Sequence, residues 1–223
     1  MHTLIVVAHP EAESLTHAVA SQIAKGIGLA GPHHTFEIAD LAQEGFDPRF
    51  TEADLAVHRR KAPPSTDVQV EQARIDRADT LVLVYPVYWW AMPALLKGWI
   101  DRVFSNGWAF DFNLQSALIK KLPHLSVHLV GIGGADTATY ARHGYAAAMK
   151  AQIDHGIFDY CGAEVITSEL LLDSETADST KALQAAEQLG RQIFAAMRTL
   201  MFSPREPPRH IEDSAAPSSR FGI

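Results

Sequence analysis

The sequence predicts an α/β domain built on a doubly wound, five-stranded parallel sheet. Two observations carry that expectation. Short apolar runs suited to buried parallel strands alternate along the chain with stretches of helical periodicity. Right-handed crossovers between such strands then place helices on both faces of one sheet. A third observation sets the scale: 223 residues, 47% hydrophobic and 20% charged, suffice for a single domain with a large core.

The elements follow in order. Residues 3–8 read as the first strand. After a loop at 9–13, Ser14 is a good N-cap, and Leu15, Ala18, Val19, Ile23 and Ile27 recur at helical spacing until Gly28, Gly31 and Pro32. Residues 35–39 alternate, as a less buried second strand does. Residues 40–67 are loop-rich, broken by Gly45, Asp47-Pro48 and Pro63-Pro64, with a short helix after Thr51. Residues 68–78 are helical, and 81–85 form the third strand, ending at Pro86. Pro93 opens a helix to Phe104 whose apolar stripe is Leu96, Trp99, Ile100 and Val103. On it, Asp101 and Arg102 read as a cap or an ion pair. The fourth strand spans 126–131. Residues 140–160 are broadly helical, interrupted at Gly144 and Gly156. The fifth strand spans 164–168 and the closing helix 176–201. Residues 1–202 form the domain. Residues 203–223, with Pro204, Pro207, Pro208 and Pro217, are expected as an irregular arm.

Charge and cysteine usage narrow the partners. Nineteen basic against 26 acidic residues give a net charge of −7, which argues against nucleic acid or an anionic membrane. Cys161 is the single cysteine and reads as a small core residue, so no disulfide forms within the chain. No run nears the roughly 20 apolar residues of a membrane span, and no signal peptide is read at the N-terminus. A cytoplasmic protein without stable membrane insertion is expected. No His or Cys cluster has zinc spacing, so no metal site is read. His33-His34 reads as a solvated pair at a strand edge.

In doubly wound sheets, ligands sit beyond the carboxyl ends of the strands. Three segments fall there. The first is His9-Pro10-Glu11-Ala12-Glu13-Ser14-Leu15-Thr16, where a helix N-terminus, two hydroxyls and an imidazole can hold a phosphate. An ordinary cap at Ser14 beside a surface His9 accounts for the same residues. The second is Pro86-Val87-Tyr88-Trp89-Trp90, whose amides and rings suit the edge and face of a flat ligand. A buried aromatic plug or a subunit interface is the competing reading. The third is Gly131-Ile132-Gly133-Gly134-Ala135, followed by Tyr140 and His143. Glycines there let a backbone approach a ligand, or simply make a tight turn. Tyr140 and His143 can donate to a ring carbonyl that gains negative charge, or serve structure alone.

Residues 84–112, VYPVYWWAMPALLKGWIDRVFSNGWAFDF, hold all four tryptophans. This segment resembles the signature of the NAD(P)H:quinone oxidoreductases of the flavodoxin-like proteins, the DT-diaphorase type and its smaller bacterial relatives. VVAHPEAESLTHA and ADLAQEGFDPRFT resemble the same family's first and acidic-aromatic loops, and the likeness covers most of residues 3–170.

The resemblance implies a flavodoxin-like sheet of strand order 2-1-3-4-5 and a homodimer with flavin sites at its interface. It implies FAD, with FMN as the alternative, and NAD(P)H as the electron donor to a quinone-like acceptor. His9, Ser14, Leu15 and Thr16 are then on the phosphate side of the flavin. Pro86, Val87, Tyr88 and Trp89 line its ring, with Gly133 and Gly134 on another edge. Tyr140 and His143 become the catalytic pair, at a shorter spacing than in the mammalian pattern. Trp90 is a substrate-binding residue, and Trp108, Phe110 and Phe112 reach into the partner's pocket. Phe110 and Phe112 stand where the mammalian pattern has tyrosines, which implies a more apolar acceptor. The long closing helix with Arg191 and the tail favour FAD over FMN. Trp99 reads as core packing. Azo or nitro reduction, and an ancillary role on a potassium-efflux antiporter, are the alternative functions that the family carries.

Overall fold

The computed structural model describes residues 1–113, 117–175 and 178–202. In chain order the elements are β1 (His2–Val7), α1 (Leu15–Ala30), β2 (Thr35–Asp40), α2 (Glu52–His58), α3 (Thr66–Asp76), β3 (Thr80–Pro86), α4 (Ala94–Val103), β4 (Phe110–Asp111), β5 (Ile119–Lys120), β6 (Ser126–Ile132), α5 (Thr137–His143), α6 (Tyr145–Lys150), a π-helical segment (Ala151–Asp159), β7 (Glu164–Leu171) and α7 (Ser179–Phe202). The main sheet runs β2-β1-β3-β6-β7, every neighbour parallel. With the short β4–β5 pair set aside, this is the expected 2-1-3-4-5 order. The expected arm at 203–223 and the expected helix start at Thr176 lie outside the described residues.

Alternation within each strand builds two cores. Leu4, Leu81, Leu83 and Leu129 face α4 and the π-helical segment. Ile5, Val7, Val82, Val84 and Val130 face α1 and α7. Strands covered on both faces must be apolar throughout, which is why these runs lack polar alternation. β2, at the edge, keeps only Ala39 fully buried. The α1–α7 contact is tight because Gly26 and Gly190 meet there. A Cβ on either would run into the other helix's backbone.

Several boundaries moved for physical reasons. Helix α1 passes through Gly28, whose missing side chain faces open space, and stops at Gly31. Gly156 does not interrupt its helix. It keeps its N–H, and the π-helical turns run across it. Gly144 does break the helix, taking a left-handed φ of 70° between α5 and α6. His34 is not a solvated strand-edge residue: its ring stacks on Phe194 at 4.1 Å. Thr51 opens α2 with a reciprocal capping box to Asp54. Arg102 is buried and reaches Asp54 at 3.0 Å and Asp67 at 2.8 Å, while Asp101 pairs with Lys97 at 2.6 Å. The Arg102 pairs clamp the 46–67 segment onto α4, while Lys97–Asp101 lies within the helix.

Candidate functional site

The carboxyl ends of β1, β3 and β6 bring three of the predicted segments together, each strand pairing directly with the next. At the first, the Ser14 side chain caps α1 by accepting the His17 N–H. The first-turn amides of Leu15 and Thr16 have no intrahelical acceptor. Thr16 is buried at 2% exposure, so what it offers a ligand is that amide, not its hydroxyl. His9 accepts the Glu11 N–H on Nδ1 at 3.0 Å. Its neutral ring therefore carries the proton on Nε2, free to donate. His17 bridges Ser14 Oγ at 2.9 Å and Asp40 Oδ2 at 2.8 Å. Asp40 is itself held by the amides of Ala42 and Gln43.

The second segment is a two-residue hairpin. Tyr88 and Ala91 exchange both backbone hydrogen bonds at 3.1 Å, and Trp89 and Trp90 form the turn with φ of 50° and 60°. Such a pair of left-handed residues normally calls for Asn-Gly. In an ordinary side chain the conformation costs roughly 1–2 kcal/mol per residue. Trp90 offsets part of that by stacking face to face on Tyr145, 3.7 Å away and 10° from parallel, and edge-on to Tyr140. An aromatic pair contributes about 0.5–1.5 kcal/mol. Trp89 makes no such contact and is 93% exposed. Pro86 is buried in β3, and the Val87 N–H is taken by Ile132 O at 2.7 Å. The turn amides left for a ligand are those of Trp89 and Trp90.

The third segment plays a different part from the one its glycines suggest. Gly133 donates its N–H to Leu171 O and accepts the Ser174 N–H. Its backbone is thus committed to the end of β7. Its missing Cβ makes room for Tyr140, whose hydroxyl would stand 2.9 Å from it. The Glu175 carboxylate lies over Gly134, 3.3 Å from where a Cβ would be. Tyr140 is 3% exposed, and burial pushes its phenol up, so it stays protonated at neutral pH. His143 is exposed and leans on Tyr145, ring centroids 5.2 Å apart.

Trp108, Phe110 and Phe112 lie elsewhere. Trp108 donates to Asp76, the last residue before the turn into β3. Phe110 packs on Tyr160, just ahead of β7. Phe112 is held by Asn106, which accepts its N–H at 3.1 Å and donates to its carbonyl at 3.0 Å. All three sit at the amino end of the sheet, opposite Trp89. Phe50, Phe112 and Tyr160 are each 39–46% exposed there. Arg191 also faces away from the site. It pairs with Glu187 and lines a cleft with Met1, His33 and His34.

The flavodoxin-like fold family matches residues 1–193. An uncharacterized NAD(P)H oxidoreductase of Haemophilus influenzae is 31% identical over 208 residues, 92% of this chain and all of that protein. The chain belongs to the flavodoxin-like fold family. The human ribosyldihydronicotinamide dehydrogenase [quinone] is 28% identical over 82% of this chain and 87% of its own length. A solved NAD(P)H:quinone oxidoreductase from Methanothermobacter marburgensis superposes with a TM-score of 0.79 at 27% identity, over 86% of this chain and 98% of its own.

Within this flavodoxin-like site, sequence reasoning missed His17, Asp40, Tyr145 and Glu175. His17 lies one helical turn after the Ser14 cap, and that spacing was the available signal. Asp40 ends β2, next to β1 in the sheet, so topology alone points to it. Tyr145 follows Gly144, whose αL joint turns α6 back toward Trp90. Glu175 carries no sequence signal. A separate cleft of about 590 Å³ follows the β7 edge past Lys150, Asp154 and Ser168. None of the expected site residues lines it. Among the described residues, no group of three or more His, Cys, Asp or Glu is placed to hold a metal, and no helix is long and apolar enough to cross a membrane.

Proposed function

We propose that this protein is a flavin-dependent NAD(P)H:quinone oxidoreductase acting as a homodimer. One observation carries the reading: an anion-ready helix start, a strained aromatic turn and the Gly133–Tyr140 contact converge at one end of the sheet in a chain of this family.

The residues present fit a flavin. The amides of Leu15 and Thr16, the Ser14 hydroxyl and the His9 Nε2–H suit a phosphate. The free-standing Trp89 and the turn amides suit an isoalloxazine face and edge. A bound flavin supplies the two-electron relay between NAD(P)H and the acceptor. Trp89 and Tyr88 wall the ring from water. Tyr140, kept protonated by burial, donates a hydrogen bond at the Gly133 edge. His143 stands at the open side of the ring, against Tyr145. His9, Ser14, Leu15 and Thr16 hold the phosphate end.

Phe110, Phe112 and Trp108 stand at the wrong end of the sheet to cover their own chain's site. We assign them to the site of a second copy, where their apolar rings favour a weakly polar quinone. One pocket then serves donor and acceptor in turn, which gives ping-pong kinetics. FAD loses the support that Arg191 lent it, since that side chain lies at the opposite end. The choice between FAD and FMN falls to mass analysis of the released cofactor. A reducing, cytoplasmic setting suits the buried lone Cys161 and the NAD(P)H donor.

The test is direct. Purified protein should be yellow, release a flavin identified by mass, and oxidise NAD(P)H with a quinone along parallel initial-rate lines. A colourless protein that takes up neither FAD nor FMN overturns the reading, and intersecting lines overturn the shared pocket.

A further inference from the structure

The Trp89–Trp90 turn holds an unfavourable backbone conformation, and only one of its two indoles is gripped. Trp89 projects at 93% exposure. Trp90 lies flat on Tyr145 at 3.7 Å and 10°, with Tyr140 edge-on at 5.3 Å and 82°. Strained residues persist where their surroundings over-determine them, and they cluster where a ligand is met. The Tyr88–Ala91 hydrogen bonds close the turn, and the Val87 N–H to Ile132 O ties its base to β6. Beyond that base, the Trp90–Tyr145 stack is what meets the turn from the α5–α6 side.

Tyr145 is well placed for that contact. It is the first residue of α6, directly after Gly144, whose φ of 70° swings the chain between two helices. The same ring meets His143 at 5.2 Å and 31°. Tyr145 therefore joins the aromatic turn on one side to His143 on the other. Tyr140 and Tyr145 also touch, edge to face at 6.1 Å. All the aromatic groups of the α5–α6 corner thus meet at Tyr145.

We propose that Tyr145 is a positioning residue for the flavin ring. By stacking on Trp90 it fixes the left-handed turn, and so aims Trp89 at the isoalloxazine face. The inference rests on the flavin reading above. It attributes to Tyr145 an effect on the ring of the cofactor and none on its phosphate. The stacking surface is what matters, so phenylalanine replaces it and an aliphatic residue does not.

The experiment titrates full-length apoprotein with FMN and with riboflavin, following flavin fluorescence, for the wild type, Tyr145→Phe, Tyr145→Leu and Tyr145→Ala. The dissociation constants for FMN and riboflavin should rise together by about tenfold in Tyr145→Leu and Tyr145→Ala. Tyr145→Phe should stay within about twofold of wild type for both. Thermal midpoints measured without flavin separate this from general loosening, and Tyr145→Leu, which fills the space, covers the case in which Tyr145→Ala does not fold. Unchanged binding in Tyr145→Leu overturns the inference. So does equal loss in Tyr145→Phe, or a loss confined to FMN. A wild-type protein that binds neither flavin overturns the flavin reading itself, and the inference with it.

Discussion

The Tyr140 hydroxyl rests against the bare Cα of Gly133, so that a methyl there would stand 2.9 Å from it and 3.0 Å from Leu172. The glycine is a seat for the tyrosine. Gly133→Ala should destabilise the fold by about 1–3 kcal/mol, the usual cost of overpacking, and should weaken flavin binding by displacing Tyr140. Adding Tyr140→Phe removes the clashing oxygen but not the Leu172 contact, so the double variant should regain part of the lost stability. Chemical denaturation of the two single variants and the double variant measures that coupling.

Trp89 gives the opposite trade. It occupies a left-handed conformation with almost no packing in return. Trp89→Gly should raise stability by about 1 kcal/mol, because glycine adopts this φ without a Cβ penalty. The same change should raise the quinone KM and weaken flavin binding. A variant that gains stability and keeps full activity would remove Trp89 from the site.

Ser14 carries two duties that can be read separately. Ser14→Ala should cost about 1 kcal/mol of stability through the lost cap on α1. It should also weaken FMN by about tenfold while leaving riboflavin, which has no phosphate, unaffected. Equal losses for both ligands would place Ser14 away from the phosphate.

His128 predicts how the fold responds to acid. It is buried in β6, donates or accepts at Thr167 Oγ1 over 2.8 Å, and burial lowers its pKa from 6.5 to about 4. The unfolded chain therefore binds the extra proton first. The stability tied to the neutral ring is full above pH 6.5 and is lost progressively as pH falls toward 4, to a total of roughly 3 kcal/mol. His128→Gln should flatten that part of the stability curve in denaturation measured between pH 4 and 7.

Cys161 is buried and its thiol is pushed up to about 12 by desolvation. With so little thiolate, iodoacetamide should not label the native protein at pH 8. Labelling should appear only on unfolding, as intact mass reports.

Much of this was legible in the residues. The five strands, their order, the Ser14 cap, the short helix after Thr51 and Trp99 as core all match the structure. Trp99 is fully buried and donates its indole N–H to Glu71. Local patterns encode such features directly. What stayed hidden depends on tertiary approach. The commitment of the Gly133 backbone to β7, the His17–Asp40 bridge and the Trp90–Tyr145 stack each join segments more than twenty residues apart. The β4–β5 pair, two residues on each side, is too short to leave a period. Gly28 and Gly156 misled because a glycine weakens a helix without ending it.

The placement of the aromatic groups at opposite ends of one sheet has a genetic consequence. In the proposed dimer, each site draws its floor from one chain and its cover from the other. A chain damaged at Trp89 and a chain damaged at Phe112 are each inactive as pure dimers. Mixed together, they pair an intact floor with an intact cover at one of the two sites. Co-expression of two dead alleles should therefore restore part of the activity, while two alleles damaged at the same end should restore none.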